Sequence, residues 1–212
     1  MLRIFFALSF TLLFISCDKD DESTPEIEAE NFYGLTVGNT YSYSYYQRIG
    51  DTEDFEQLSF TTNVAITDEV VIDDKTYFEF TTTATGEDFF PGVEPGVSVK
   101  TVREEDGVLI TEEDEVLFSK VADSEPYLIS ENDWGNVYLE NLNQTEQKTV
   151  PAGDFNCNVN ALYAILEGGE QSPGTDVLLF SDGIGEIYRT ISAVSNPTHN
   201  WEVRLTSYSL AE

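Results

Sequence analysis

Past residue 30 the chain holds one histidine, His199, and one cysteine, Cys157. Nucleophilic hydrolysis needs a nucleophile, a base and an orienting group in contact, so these two residues are the whole supply for a thiol–imidazole pair. No nucleophile elbow, zinc-protease helix or phosphate-cradling loop supports them. His199, near Pro197 and Asn200, reads as a solvated loop histidine, and Cys157, in an alternating run with Phe155 and Val159, reads as a small buried side chain. Carboxylates are abundant, with 40 acids in the chain. Glycoside cleavage needs only two of them about 5–10 Å apart, so a carboxylate-based glycosidase stands as the enzymatic alternative, although so acidic a chain supplies chance pairs everywhere. Calcium chemistry is suggested by Glu104-Glu105-Asp106 and Glu112-Glu113-Asp114-Glu115. The residues between them, 108–111, if extended, would set the clusters about 13 Å apart, so each reads as a solvated turn. The expectation is no catalytic residue, no metal and no cofactor.

Non-covalent binding is the remaining chemistry. Phe89 and Phe90 fall in a loop over 86–96 rich in glycine and proline, and Trp134 falls in a second loop at Asp133-Trp134-Gly135-Asn136. Exposed aromatics there could stack on a glycan, a lipid or a protein partner. Tyr41, Tyr43 and Tyr45 could instead line a cavity for an apolar or lipid-like ligand, or simply pack the core. The formal net charge of −30, from 40 acids against 10 bases, excludes a nucleic-acid partner, whose binding depends on lysine and arginine meeting phosphate.

The other cysteine, Cys17, ends an apolar run. Arg3 supplies a positive start, residues 4–15 are apolar, and Ser16 is small, which is the layout of a signal peptide over 1–16. The run is too short to span a bilayer, which takes about 20 apolar residues. Phe14-Ile15-Ser16-Cys17 resembles the bacterial lipobox, with Phe14 in place of the usual leucine. That resemblance implies that Cys17 is lipidated on sulfur, freed by cleavage and acylated on its new amino group. A single acyl chain holds a protein only marginally, whereas several on one residue hold firmly. From 17 to 31 the chain is an acidic tether, with Asp18, Asp20, Asp21, Glu22, Glu26, Glu28 and Glu30 against Lys19. Such a run cannot bury a core and is extended by its own repulsion. Asp18, Lys19, Asp20, Asp21 and Glu22 resemble the lysine-plus-acid export signal of surface lipoproteins in one group of Gram-negative bacteria. The implied location is the outer membrane, anchored by lipid and facing outward, with the lipoprotein export machinery as a partner. An aspartate directly after the cysteine also resembles an inner-membrane retention signal, so a periplasm-facing location is the alternative.

The residues that must position any site lie in 32–212, the size of one domain. Period-two alternation marks strands at 40–45 and 58–67, and Asp73-Asp74-Lys75 reads as the turn of a hairpin between 70–72 and 77–80. Further strands are expected from 97, at 108–110, 116–118 and 137–139, and at 201–210, with Trp201, Val203 and Leu205 facing the core. Residues 159–166 fit a buried strand or a short helix equally. With one cysteine in the folded part, no disulfide framework exists. The fold class is mainly β, a single antiparallel sheet curled into a partial barrel or sandwich. Val150-Pro151-Ala152-Gly153-Asp154-Phe155 followed by Gly183-Ile184-Gly185, with the opening Leu35-Thr36-Val37-Gly38-Asn39, resembles a group of uncharacterised bacterial lipoprotein and periplasmic β domains. It implies a half-barrel like that of lipoprotein carriers and a non-catalytic binding or structural module.

Replacing Cys17 with serine should yield a product without acyl mass. Intact mass analysis of the membrane fraction checks this, and a wild-type N-terminus free of lipid would remove the anchor.

Overall fold

The computed structural model describes residues 31–88 and 90–211. Cys17, the residues Asp18, Lys19, Asp20, Asp21 and Glu22, and Phe89 lie outside them. Twelve strands succeed one another along the chain: β1 (Thr40–Arg48), β2 (Phe55–Ile72), β3 (Lys75–Thr85), β4 (Gly96–Glu105), β5 (Val108–Thr111), β6 (Val116–Ser119), β7 (Tyr127–Asn132), β8 (Gly135–Val150), β9 (Gly153–Leu166), β10 (Gln171–Ser181), β11 (Gly185–Ile191) and β12 (Trp201–Ser209). They form one antiparallel sheet in the order β6-β5-β4-β3-β2-β1-β12-β11-β10-β9-β8-β7, as the fold class expected. Because β1 pairs with β12, the folded chain begins and ends mid-sheet, and the sheet's two outer strands are β6 and β7, neighbours in sequence.

Local chemistry explains most of these elements. In β1, Tyr41, Tyr43 and Tyr45 are buried as their alternation requires, and Val203 and Leu205 of β12 are buried beside them. The two segments expected at 58–67 and 70–72 are one strand, β2, with a register irregularity between Ile66 and Asp68 that re-aims its last residues. Asp73 and Asp74 both take positive φ, 50° and 63°, the backbone that a two-residue hairpin turn demands. The segment 159–166 belongs to β9, its pairing with β8 and β10 deciding against the helix. Asp133 and Trp134 form a two-residue turn rather than a loop, since Asn132 already pairs with Gly135.

Closure is achieved by overlap. The end of β6 lies over the inward face of β8 and β9. There the Ser119 N–H donates to Asn160 Oδ1 (2.9 Å), and Asn160 Nδ2 donates back to the Ser119 carbonyl (2.9 Å). Asn141 Nδ2 then holds the Val121 carbonyl at 3.0 Å, and Asn143 pairs with Asp123. Residues 31–39 close the same end. The Tyr33 hydroxyl donates to the Gly107 carbonyl at 2.7 Å, the Gly183 N–H donates to the Phe32 carbonyl, and Phe118 stacks on Phe180 with ring centroids 4.1 Å apart. Gly34 is required here: its φ is +61°, and a Cβ would stand 2.9 Å from the Ile184 carbonyl oxygen.

At the opposite end the loop after β3 folds inward. Phe90 is 2% exposed, edge-on to Tyr45 at 4.3 Å and stacked on Phe60, so it is a core residue and not the exposed loop aromatic expected.

The two acidic clusters are also closer than a linear count suggests. β5 is a hairpin strand beside β4, and the Arg103 guanidinium donates to Glu105 (2.7 Å) and Asp114 (2.8 Å), one carboxylate from each cluster. Lys75 and Lys120 take Glu105 and Glu104. A protein cation already joins what spacing had separated.

Asn160→Ala removes both partners of a buried N–H and C=O. It should cost about 2–4 kcal/mol of unfolding free energy and speed hydrogen exchange at the Ser119 amide. Urea titration and exchange mass spectrometry check this; an unchanged midpoint would show that closure does not depend on this pair.

Candidate functional site: the barrel lumen

Between the two capped ends the inward faces enclose a cavity of about 560 Å³. Tyr41, Tyr43 and Tyr45 of β1 form one wall. Leu139, Leu162 and Leu178 line it from β8, β9 and β10, and Phe80, Val102 and Val203 come from β3, β4 and β12. The mouth is lateral. β5 pairs β4 only over 102–105, and the Glu112 N–H takes the Thr101 carbonyl, so the edge of β4 over 96–100 has a ladder partner on the β3 side alone. The exposed lining residues Ser98, Lys100 and Glu115 stand there with Ile129. Lys100 and Glu115 face one another at 3.9 Å, both about half exposed.

One irregularity puts charge inside this apolar space. In a regular strand Glu186 and Arg189, three residues apart, would point to opposite faces. β11 carries a bulge: Glu186 pairs with Phe180 while Tyr188 pairs with Leu179, so both charged side chains share the face of Phe180 and Leu178. Arg189 Nε approaches Glu186 Oε1 at 3.4 Å, without hydrogen-bond geometry for either atom. Nε itself has no hydrogen-bond partner among the described residues, while the Tyr45 hydroxyl lies within hydrogen-bonding reach of the guanidinium. The Arg189 side chain keeps 34% of its surface open, yet the barrel wall surrounds it, so it opens on the lumen rather than on bulk water. Glu186 raises the Arg189 pKa further, against the opposing effect of burial, so the guanidinium stays charged.

The nearby hydroxyls are also constrained. Tyr43 donates to the Glu186 carbonyl at 3.1 Å, and Tyr45 shares a hydrogen bond with Thr62 at 3.2 Å. Burial pushes both phenols above their ordinary pKa, so they remain protonated donors.

A second polar cluster lies near the Trp201 end of β12. Glu202, 7% exposed, accepts from Tyr188 (2.6 Å) and Arg204 Nε (2.7 Å) and meets His199 Nε2 at 3.1 Å. His199 also stacks on Phe55, 5.3 Å away, so it is a packed partner of a buried carboxylate and not the solvated loop residue expected. Cys157 is fully buried, and burial pushes its thiol up to about 11. It pairs with Ser181, opposite Gly185 at the start of β11, whereas His199 precedes Trp201, which pairs with Ile191 at the far end. The length of β11 thus separates the only thiol and imidazole of the domain by about 20 Å. Trp134 is 44% exposed in the β7–β8 turn, on a different hairpin from the core residue Phe90. The residue that composition and motif reading missed is Arg189. Its one sequence signal is a base inside an apolar strand just after Gly183-Ile184-Gly185.

No family model matches the chain, and no curated protein matches it. Two solved structures share its fold. One is a candidate lipoprotein from Parabacteroides distasonis, with TM-score 0.54 at 11% identity, covering 85% of this chain and 99% of that one. The other is a candidate exported protein with a YmcC-like fold from Bacteroides fragilis, with TM-score 0.56 at 11% identity and the same coverage, 85% and 99%. The likeness is one of architecture alone, a shared β-barrel fold.

The Glu202 cluster predicts a pH dependence. Burial by itself would raise this carboxyl, but the hydrogen bonds from His199, Tyr188 and Arg204 outweigh it and hold the pKa at about 2. A folded pKa below the unfolded value of about 4.3 gives stability that is present above that value and lost as pH falls toward 2. Wild type should lose on the order of 3 kcal/mol more than Glu202→Gln between pH 5 and pH 2, read from urea unfolding at each pH. Parallel pH profiles for the two proteins would contradict the assignment.

Proposed function

We propose that this protein is a cell-envelope lipoprotein whose barrel holds an apolar ligand in its lumen without chemically altering it. The observation that carries this reading is the tyrosine- and leucine-lined cavity, open sideways at the unpaired edge of β4. Its volume lies within the range of about 300–1,000 Å³ typical of small-molecule sites. A sheet that closes by overlap at one end and stays open along one edge leaves such a space, because twelve strands curl wider than the roughly eight whose side chains fill a barrel interior.

The signal-like segment over 1–16 and Cys17 support attachment to a membrane, and both fold relatives come from envelope-type proteins. Asp18, Lys19, Asp20, Asp21 and Glu22 favour display on the outer face of the outer membrane. Export by the lipoprotein machinery would then place the lumen where hydrophobic molecules meet the cell.

A neutral apolar dye, N-phenylnaphthylamine, tests the lumen without reference to charge. Its fluorescence should rise saturably with the wild-type domain. Leu162→Trp, which projects into the empty space, should abolish the rise while leaving the melting temperature nearly unchanged. A dye that does not bind, or that binds Leu162→Trp equally well, would refute a ligand-holding lumen.

A further inference from the structure

We propose that the ligand of the lumen is an amphiphile with a single terminal carboxylate, gripped by Arg189 while its alkyl chain runs along the tyrosine and leucine wall. This rests on the lumen being a binding site and adds the chemistry of the ligand's polar end. A guanidinium carries five N–H donors in a planar fork, and burying it without acceptors is costly. Glu186 approaches only Nε, at 3.4 Å and off the hydrogen-bonding direction, and the Tyr45 hydroxyl is within reach of the guanidinium, so Arg189 lines the cavity with most of its donors to spare. A carboxylate offers two oxygens at the spacing of that fork. The Tyr45 hydroxyl, which shares a hydrogen bond with Thr62, stands next to Arg189 and can accept from the guanidinium, leaving the rest of the fork for a ligand.

The surroundings select against other occupants. A doubly charged phosphate beside Glu186 would suffer like-charge repulsion that a monoanion suffers less. The net charge of −30 repels small free anions from the mouth, so an acid enters only if burial of an apolar tail outweighs that repulsion. Neutral apolar molecules could fill the same space but would leave the guanidinium unsatisfied.

The test displaces N-phenylnaphthylamine from the domain with dodecanoate, dodecanol and dodecyl phosphate. Dodecanoate should act at about a ten- to hundredfold lower concentration than dodecanol, the gain expected of hydrogen bonds to a charged group. Arg189→Met should erase that preference while leaving dodecanol displacement in place. Glu186→Gln, which removes the competing carboxylate, should strengthen dodecanoate and leave dodecanol unchanged, and it decides the matter if Arg189→Met fails to fold. Equal potency of acid and alcohol on the wild-type protein, a preference that survives Arg189→Met, or a stronger effect of the phosphate would each overturn the carboxylate assignment. Dye and dodecanol binding without acid preference would leave the apolar lumen standing, whereas no dye binding at all would overturn both.

Discussion

Two hydrogen bonds between Asn160 and the backbone of Ser119 convert an open sheet into a barrel. The outer strands β6 and β7 do not pair, so closure cannot come from a continued ladder. The sheet instead laps over itself, and a fully buried asparagine supplies the donor and acceptor that a neighbouring strand would have supplied. Several other contacts depend on this one. With β6 held inward, Phe118 meets Phe180, and the segment around Tyr33 finds the carbonyls of Gly107 and Phe118. Because β5 and β6 are short, the overlap covers only one end, leaving the edge of β4 and the mouth of the lumen open.

Charge in this molecule is divided by location. The acids cover the exterior, where water and salt solvate them and where mutual repulsion keeps copies apart. The few bases are assigned to particular places. Arg103 gathers Glu105 and Asp114, Arg204 supports Glu202, and Lys148 lies 3.5 Å over the ring of Tyr188. Arg48 bonds the His199 carbonyl and stacks near Phe55. Arg189 differs from these in lining the cavity, where the Tyr45 hydroxyl leaves most of its donors over. An acidic exterior around a guanidinium that lines the lumen would discriminate between a free anion, which gains little on entry, and an acid attached to an apolar chain, which gains from both ends.

The local rules were legible wherever a residue's neighbours in sequence are also its neighbours in space. Alternation located β1, β2 and β12, and Asp73-Asp74 announced its turn, because backbone geometry at a hairpin is settled by a few adjacent residues. Distance along the chain was a poor stand-in for distance in space. Residues 108–111 fold back beside β4 and let one arginine reach both acidic clusters. Phe90 turned inward because Tyr45 and Phe60 offered it a dry surface, and His199 was claimed by a carboxylate three residues on. β7, with its half-exposed residues, had no apolar pattern strong enough to mark it.

The sequence by itself determined the class of the fold, its antiparallel hairpins, the acidic exterior and the signal-like start with Cys17. Each is carried by composition or by residues close together in the chain. The tertiary structure alone decided that the sheet would overlap, that a space would remain inside it, and that Glu186 and Arg189 would share that space. The last depends on one bulge in β11, and a bulge is set by how β10 and β11 pair. A one-residue shift in register exchanges the inside of a barrel for its outside, and nothing in the run Gly185-Glu186-Ile187-Tyr188-Arg189 states which register its neighbour will impose.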